Sequence, residues 1–231
     1  MKINDFFQEA YCINLDRRKD RWESSCVQFE KNNIKVKRFP AVDGNKLREE
    51  LFGRVISRKD GADEYGLKKQ FVTAAGRWDR PSWGMAALNL THQNLFKEAK
   101  EKKLESIIIF EDDVSFVDNF ESKFFDLSQN IPKDWDMIYL GGHNEIGLGD
   151  KICDGLHRCK WTLCAHAVII HSRMYDRILD NIDIFGSWID VVLADMHSSC
   201  KAYVFSPFLA TQSPSHSDIQ YAYQDYGMFI K

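Results

Sequence analysis

The sequence predicts an α/β protein, and three observations lead to this prediction. A strand-like segment, a basic turn, a helix-like segment and a second strand follow one another over residues 10–39, as at the start of an α/β nucleotide-binding unit. The apolar run at residues 107–110 has the character of a buried strand and ends directly in Glu111, Asp112 and Asp113. Segments with strand and helix periodicity then alternate along much of the remaining chain.

The composition is that of a folded protein with a sizeable core. The chain has 231 residues, of which 44% are hydrophobic, so we expect one domain over residues 1–231. The net charge of −3 gives no reason to expect nucleic acid as a partner. No apolar run approaches the roughly 20 residues that span a bilayer, and no apolar signal segment follows the first residues. The sequence therefore predicts a cytoplasmic protein without a transmembrane segment.

A basic turn follows the first predicted strand, residues 10–15. It carries three arginines and one lysine, and Asp20 is placed to cap the helix in which Trp22, Cys26 and Phe29 recur at helical spacing. Guanidinium groups at a helix N-terminus can hold a diphosphate, because the helix dipole and the guanidinium forks both favour anions. A solvated charged turn is the commoner outcome for such a run, and both interpretations stay open.

The second predicted strand, residues 35–39, leads into a loop at 40–44 that contains Asp43. Residues 45–80 are charged and weakly periodic, which indicates a long connection with short helices. Such a connection is either irregular structure or a flap that closes over a bound substrate. A clear helix follows, and His92 lies on its apolar face, either as a core histidine or as a residue that reaches the site.

Three adjacent carboxylates at the end of the apolar strand need a counter-charge. Like charges side by side repel one another and are rarely buried without a partner. Oxygen ligands of this kind suit Mg²⁺ or Mn²⁺, and ligands of open α/β sheets bind at the carboxyl ends of the strands, where these acids fall. The alternative is a polar turn after a core strand.

The second half of the chain contributes further strands and one candidate residue, Asp190. Strand-like segments occupy 135–140, 162–171 and 202–205. Asp190 falls in the first turn of a predicted helix that begins near residue 187, where the helix dipole favours a carboxylate. It is either a helix-end acid or a base that points into a cleft.

Four stretches carry a family resemblance: CINLDRRKDR at 12–21, FPAVDG at 39–44, LTH at 90–92 and FEDDV at 110–114. In this order they resemble glycosyltransferase family 25. That family includes lipopolysaccharide and lipooligosaccharide galactosyltransferases and the collagen galactosyltransferase domain. The resemblance covers a core at about 9–210 and leaves a tail, 211–231, placed to close over the site.

The resemblance implies a fold and a reaction. The fold would be GT-A-like, with a mixed central sheet flanked by helices and a Rossmann-like half that binds a nucleotide sugar. The reaction would be inverting transfer of a hexose, usually from UDP-galactose, with Mn²⁺ or Mg²⁺ on the acidic motif. The acceptor would be a glycan or another hydroxyl compound. A lipid-linked acceptor would bring such an enzyme to a membrane surface without a spanning segment.

The resemblance also implies roles for single residues. Glu111 and Asp113 stand where the family has its D-x-D pair, with Asp113 the better candidate for the metal. Asp190 is the candidate base, and His216 would be a second metal ligand from the C-terminal segment, or a surface histidine. The candidates on the nucleotide side are Leu15, Arg18, Arg21, Asp43, His92, Glu111 and Asp112, either of the last two for the ribose.

Two other functions fit the same residues. A metal-dependent nucleotidyltransferase also uses acids at a strand end with a divalent ion. A non-catalytic sugar-binding relative would keep the fold and lose the activity. The released products separate the first alternative from sugar transfer, since a nucleotidyltransferase releases pyrophosphate and a glycosyltransferase releases UDP.

Overall fold

The computed structural model describes residues 2–55, 71–72, 78–79, 83–218 and 223–224, and the structural statements below refer to these residues. Most of the predicted connection at 45–80 lies outside them, so its interpretation as a flap stays a prediction. None of the described helices is both long enough and apolar enough to cross a bilayer.

The described chain alternates strands with six α-helices. The helices are α1 (Lys19–Lys31), α2 (Gly44–Val55), α3 (Trp83–Glu101), α4 (Phe120–Ser128), α5 (Tyr175–Asn181) and α6 (Ile189–Asp195). The strands of the central sheet are β1 (Glu9–Asn14), β2 (Lys37–Pro40), β5 (Ser106–Glu111), β7 (Met137–Tyr139), β9 (Lys151–Cys153), β10 (Leu156–Arg158), β12 (Ala167–His171) and β13 (Ala202–Phe205). Short two-stranded ladders are formed by β3 (Phe71–Val72), β4 (Trp78–Asp79), β6 (Val114–Phe116), β8 (His143–Asn144), β11 (Thr162–Leu163), β14 (Ala210–Gln212), β15 (Ser215–His216) and β16 (Tyr223–Gln224).

The central sheet is mixed and has eight strands in the order β2-β1-β5-β12-β7-β13-β10-β9. β1 is parallel to both β2 and β5, whereas β12 runs antiparallel to β5 and to β7. Because β1 and β5 are parallel neighbours, their carboxyl ends meet at one edge of the sheet. The basic turn after β1 and the acids after β5 are therefore brought together.

The strand β5 is the centre of the core, and its side chains alternate between the two faces of the sheet. Ile107 and Ile109 pack into the cluster that contains residues of α3, α5 and α6. Ile108 and Phe110 pack into the cluster on the other face, where the ring centroids of Phe29 on α1 and Phe110 lie 5.1 Å apart. Helices thus cover both faces of the sheet, which confirms the predicted α/β class.

Element boundaries differ from the sequence-based expectations in two informative places. The helix α1 begins at Lys19, so Asp20 lies inside its first turn and pairs with Arg18 instead of capping the helix. The strand predicted over 162–171 is divided into β11 and β12, because Cys164 between them adopts a left-handed conformation with φ of 70°. An apolar run alone does not reveal such a break.

His197 is a buried histidine whose environment gives a stability prediction. Its Nδ1 accepts from the Thr162 N–H at 3.4 Å, and its Nε2 lies 3.1 Å from the Tyr139 hydroxyl. Burial lowers the pKa of His197 to about 3, whereas a histidine in an unfolded chain has a pKa near 6.5. Between pH 7 and pH 5 the unfolded chain therefore binds a proton at this residue that the folded protein does not bind.

The substitution His197→Gln keeps a donor and an acceptor at this position and removes the titration. We expect the wild-type protein to lose about 2 kcal/mol more unfolding free energy than the variant on going from pH 7 to pH 5. Urea unfolding at the two pH values measures this difference. Equal losses in the two proteins would contradict the prediction.

Candidate active site

A cleft lies at the carboxyl ends of β1 and β5, where the sheet edge meets the start of α6. Its volume is about 1200 Å³, including the part open to solvent. The turn after β1, the loop before α2, the start of α3, the acids after β5 and the segment after β14 all contribute to its lining. A cleft of this size at this edge is the usual ligand position in an open α/β sheet.

Glu111 and Asp113 form a partly buried carboxylate pair in this cleft. The Gln212 Nε2 donates to Glu111 Oε2 at 3.2 Å and to Asp113 Oδ1 at 3.3 Å. Burial and the neighbouring carboxylates raise the pKa of Glu111 well above its usual value. Burial raises the pKa of Asp113 to about 6, although Arg21 opposes that shift. The pair therefore holds more negative charge than the surrounding protein compensates.

Asp112 connects the basic turn to the acidic end of β5 through hydrogen bonds. Its Oδ1 accepts from Arg21 Nη1 at 2.9 Å, and its Oδ2 accepts from Asn14 Nδ2 at 2.7 Å. Its backbone carbonyl accepts from Ser25 Oγ on α1 at 2.8 Å. Since both carboxylate oxygens are engaged, the ribose contact expected for Asp112 would compete with these two bonds.

The arginines of the basic turn hold the segment after β14, and the side chain of Arg17 remains 45% exposed. Arg17 Nη1 and Arg18 Nη1 donate to the two oxygens of Asp218 at 2.7 and 2.5 Å. Arg21 Nη2 donates to Ser215 Oγ at 2.7 Å and to the His216 carbonyl at 2.6 Å. We call residues 213–218 the closing segment, since Ser215, Ser217 and Asp218 line one side of the cleft.

The ion pairs of Asp218 are expected to hold the closing segment in place. The substitution Asp218→Asn removes the charge that two arginines share, and partly buried ion pairs of this kind are worth about 1 kcal/mol. We expect backbone amides of residues 213–218 to exchange hydrogen roughly 5-fold faster in this variant, as measured by mass spectrometry. Asp20→Asn is the matched control, because it removes a partner of Arg18 and leaves Asp218 paired. Equal exchange in Asp218→Asn and wild type would contradict the prediction.

Asp190 lies in the cleft at the first turn of α6. Its Oδ2 accepts from the Cys164 N–H at 3.1 Å, and its Oδ1 accepts from the Val191 N–H at 2.9 Å. The left-handed backbone of Cys164 accompanies this bond, and a non-glycine residue in that conformation is a common mark of functional sites. The charge of Asp190 also contributes to the raised pKa of Glu111, which places the two carboxylates in one electrostatic cluster.

The structure brings most of the predicted site residues to the cleft. The lining includes Leu15, Arg21, Asp43, Glu111, Asp112, Asp113 and Asp190. Arg18 does not line the cleft. Its guanidinium group pairs with Asp20 and with Asp218.

The two predicted histidines lie elsewhere. His92 is 1% exposed, and its Nδ1 lies 3.0 Å from the Leu88 carbonyl inside α3, which fits the core interpretation. The ring of His216 is exposed and packs edge-on against Tyr223 with centroids 6.1 Å apart.

Several cleft residues were not anticipated from the sequence. Asn14 and Arg17 fall inside the matched motif, so their positions carried a signal, although neither was singled out as a site residue. Gln212 and Asp218 follow the last strand of the central sheet in a segment with no recognisable motif. Their importance appears only through contacts with residues about a hundred or more positions earlier, such as Asp113 and Arg17.

The carboxylate oxygens of the acid pair are suitable ligands for a hard divalent cation. Among the described residues, no three His, Cys, Asp or Glu side chains form a metal-binding group. Mg²⁺, however, is commonly held by one or two carboxylates, with water and substrate phosphates completing its shell. Glu111 and Asp113 supply such a pair, partly buried and only partly compensated by Arg21, so the residues present fit Mg²⁺ or Mn²⁺.

The cleft at the end of the mixed sheet thus holds an acid pair beside an arginine-rich turn. This is the kind of site expected of a glycosyltransferase that uses a nucleotide sugar. Comparison with known families agrees with this class. The chain belongs to glycosyltransferase family 25, whose model, described as "Glycosyltransferase family 25 (LPS biosynthesis protein)", matches residues 7–150.

Curated relatives match about three fifths of the chain. Procollagen galactosyltransferase 2 from Homo sapiens is 33% identical over 141 residues, which cover 58% of this chain and 21% of that protein. The protein named probable inactive glycosyltransferase 25 family member 3, from Bos taurus, is 30% identical over 154 residues, which cover 65% of this chain and 24% of that protein. The chain thus spans only about a fifth to a quarter of the length of these relatives.

Two solved structures show distant similarity. A197 from STIV aligns with a TM-score of 0.44 and 11% identity, covering 94% of this chain and 93% of that chain. The apo form of mouse xyloside xylosyltransferase 1 aligns with a TM-score of 0.33 and 12% identity, covering 83% of this chain and 63% of that chain. Likenesses this distant say nothing about activity.

Proposed function

We propose that the chain is an inverting glycosyltransferase that moves a hexose from a UDP-sugar to a hydroxyl acceptor with the help of Mn²⁺ or Mg²⁺. UDP-galactose is the first candidate donor, because relatives with this family's sequence are named galactosyltransferases. A glycan is the first candidate acceptor. The observation that carries the proposal is the partly buried Glu111–Asp113 pair, which lies in the cleft of a family 25 chain and whose charge Arg21 compensates only in part.

The nucleotide would lie along the side of the cleft next to β1 and β2. Leu15 follows β1 there, and Asp43 follows β2, where its carboxylate accepts from Arg17 Nε at 2.9 Å. Arg17 and Arg21 line the cleft and present positive charge to a diphosphate. Asp112 contributes indirectly, because its carboxylate holds the guanidinium of Arg21 in position.

The acid pair would hold the divalent ion through oxygen atoms of Glu111 and Asp113. When bound, such an ion neutralises the negative charge that develops on a departing UDP, and electrostatic stabilisation of this kind is commonly the main source of an enzyme's rate enhancement. Arg21 lies on the same side, with its Nη1 3.9 Å from Asp113 Oδ2, and adds positive charge near the pair.

Asp190 is the candidate general base. An inverting transfer needs a carboxylate that takes the proton from the acceptor hydroxyl while that oxygen attacks the anomeric carbon from the face opposite UDP. The two backbone N–H groups that donate to Asp190 hold its carboxylate in one orientation. The neighbouring residues Trp188 and Ile189 would then border the acceptor.

The remaining structural expectations belong to the same proposal. The chain would form one GT-A-like domain, with the mixed sheet providing the nucleotide-sugar half. The closing segment would be the first part of the C-terminal tail that covers the bound donor. A lipid-linked glycan acceptor would place the enzyme at a membrane surface.

A non-catalytic function is the second candidate, because three of the relatives are themselves named as inactive or probable inactive family members. Such a protein would bind a sugar or a nucleotide sugar and release no UDP from it. The acid pair argues against this candidate, since two close carboxylates that Arg21 compensates only in part are costly to keep without a ligand.

A panel of UDP-sugars tests the proposal. Each sugar nucleotide is added with Mn²⁺ or with EDTA, and the thermal shift and the release of UDP are measured with a set of glycan acceptors. We expect one UDP-hexose to raise the melting temperature and to release UDP only with metal present. Binding without UDP release would support the non-catalytic candidate, and release of pyrophosphate would indicate nucleotidyl transfer.

A further inference from the structure

Gln212 occupies the position between the two carboxylates where a cation would be expected. Its side-chain Nε2 lies 3.2 Å from Glu111 Oε2, and 3.3 and 3.5 Å from the two oxygens of Asp113. The residue is 9% exposed and lines the cleft.

The backbone that carries Gln212 is held firmly. β14 pairs antiparallel with β6, and Gln212 lies opposite Val114, directly after the acids. The next residue, Ser213, donates its N–H to the Asp113 carbonyl at 2.8 Å. β14 also approaches the sheet so closely that a Cβ on Gly141 would lie 1.9 Å from the Ala210 carbonyl oxygen. Gln212 is therefore placed by the fold and not by a mobile loop.

The side chain of glutamine can serve two roles at one position. Its terminal group carries an NH₂ donor and a carbonyl oxygen of nearly the same shape, and rotation about the last bond exchanges them. Side-chain amide oxygens, like carboxylates, belong to the hard ligands that coordinate divalent ions such as Ca²⁺ and Mg²⁺. After such a rotation the oxygen would stand where the NH₂ group now faces both acids.

We propose that Gln212 is a third metal ligand that changes its donor atom with the state of the site. Without metal it donates N–H bonds to Glu111 and Asp113 and holds the two like charges together. With metal it turns its carbonyl oxygen toward the ion and completes a three-oxygen set. This inference rests on the proposed function, because that function supplies the divalent ion.

The proposal also replaces His216 as the ligand from the C-terminal part of the chain. Gln212 lies within hydrogen-bond distance of both acids, whereas the exposed ring of His216 packs on Tyr223 and does not line the cleft.

Direct titration with Mn²⁺ separates these assignments. Electron paramagnetic resonance of free Mn²⁺ gives the dissociation constant of the full chain without donor or acceptor. We expect Gln212→Ala to weaken Mn²⁺ binding by about 10–100-fold, the loss typical of removing a group that supports a metal site. We expect Gln212→Glu, which keeps an oxygen, to bind Mn²⁺ at least as tightly as wild type. His216→Ala and the surface variant Gln129→Ala should bind like wild type.

A second readout follows the rotation itself. In the wild-type protein the side-chain NH₂ signals of Gln212, assigned by their loss in Gln212→Ala, should shift on titration with diamagnetic Mg²⁺. Melting temperatures without metal report whether a variant is folded. Gln212→Glu should melt lower than wild type in EDTA and gain more from Mn²⁺, since it adds a third negative charge to the pair.

The outcomes are decisive in both directions. Wild-type Mn²⁺ affinity in Gln212→Ala, or a loss of affinity in His216→Ala, would overturn the assignment. Absence of Mn²⁺ binding to the wild-type chain would overturn it too, while metal-independent sugar transfer would leave the glycosyltransferase proposal standing. Conversely, Mn²⁺ binding that depends on Gln212, without any sugar transfer, would support Gln212 as a metal ligand and would contradict the proposed reaction.

Discussion

Replacing Asp113 with Asn is expected to reduce sugar transfer by about 10²–10³-fold or more, because it removes one of the two anionic oxygen donors proposed to hold the ion. The fold should survive. Burial raises the pKa of Asp113 to about 6, so near neutral pH the folded protein keeps this carboxylate charged at a cost. Asparagine has nearly the same shape and no charge, so the melting temperature without metal should stay the same or rise.

UDP release and thermal unfolding measure the two effects in one preparation. Asp118→Asn is the matched control, since Asp118 follows β6 and has a side chain that is 93% exposed. This control should transfer sugar like wild type. Wild-type turnover by Asp113→Asn with Mn²⁺ present would remove the metal from the proposed mechanism.

Replacing Asp190 with Asn is expected to lower kcat by roughly 10²–10⁴-fold, the usual contribution of a positioned general base. Asparagine still accepts a hydrogen bond from the Cys164 N–H through its carbonyl oxygen, so the local structure should be kept. Donor binding should change little, because the proposed nucleotide contacts lie at the turn after β1 and the loop before α2.

Calorimetry with UDP and Mn²⁺ distinguishes a lost base from a damaged donor site. Asp195→Asn is the control, because Asp195 is the exposed last residue of the same helix α6. A variant of Asp190 with normal kcat, or one whose main defect is weak UDP binding, would show that another group removes the proton.

The acidic strand end could be predicted from the sequence because the signal is local. An apolar run that stops at adjacent carboxylates indicates a strand end, and parallel neighbours β1 and β5 place that end beside the basic turn. Asp190 could also be predicted from the sequence, because its position in the first turn of a helix is a local property. The mixed sheet itself followed from the family resemblance and is confirmed by the strand order.

The partners of those residues could not be predicted, because they depend on contacts between distant parts of the chain. Gln212 contacts Asp113 across 99 positions and Asp218 contacts Arg17 across 201 positions, and no periodicity marks either residue. The family resemblance pointed to His216 as the metal ligand from the C-terminal segment, whereas Gln212 lies on the strand that pairs next to the acids. The turn at Cys164 was missed because its unusual φ is imposed by tertiary contacts.

The order in which these pieces occur along the chain has a consequence for biosynthesis. All eight strands of the central sheet are complete by Phe205, whereas Gln212, Ser215 and Asp218 come later. Proteins begin to fold while the ribosome is still extending them. A nascent polypeptide could therefore bury its sheet well before the acid pair meets Gln212, and the site would be complete only after residues 212–218 have left the ribosome and docked.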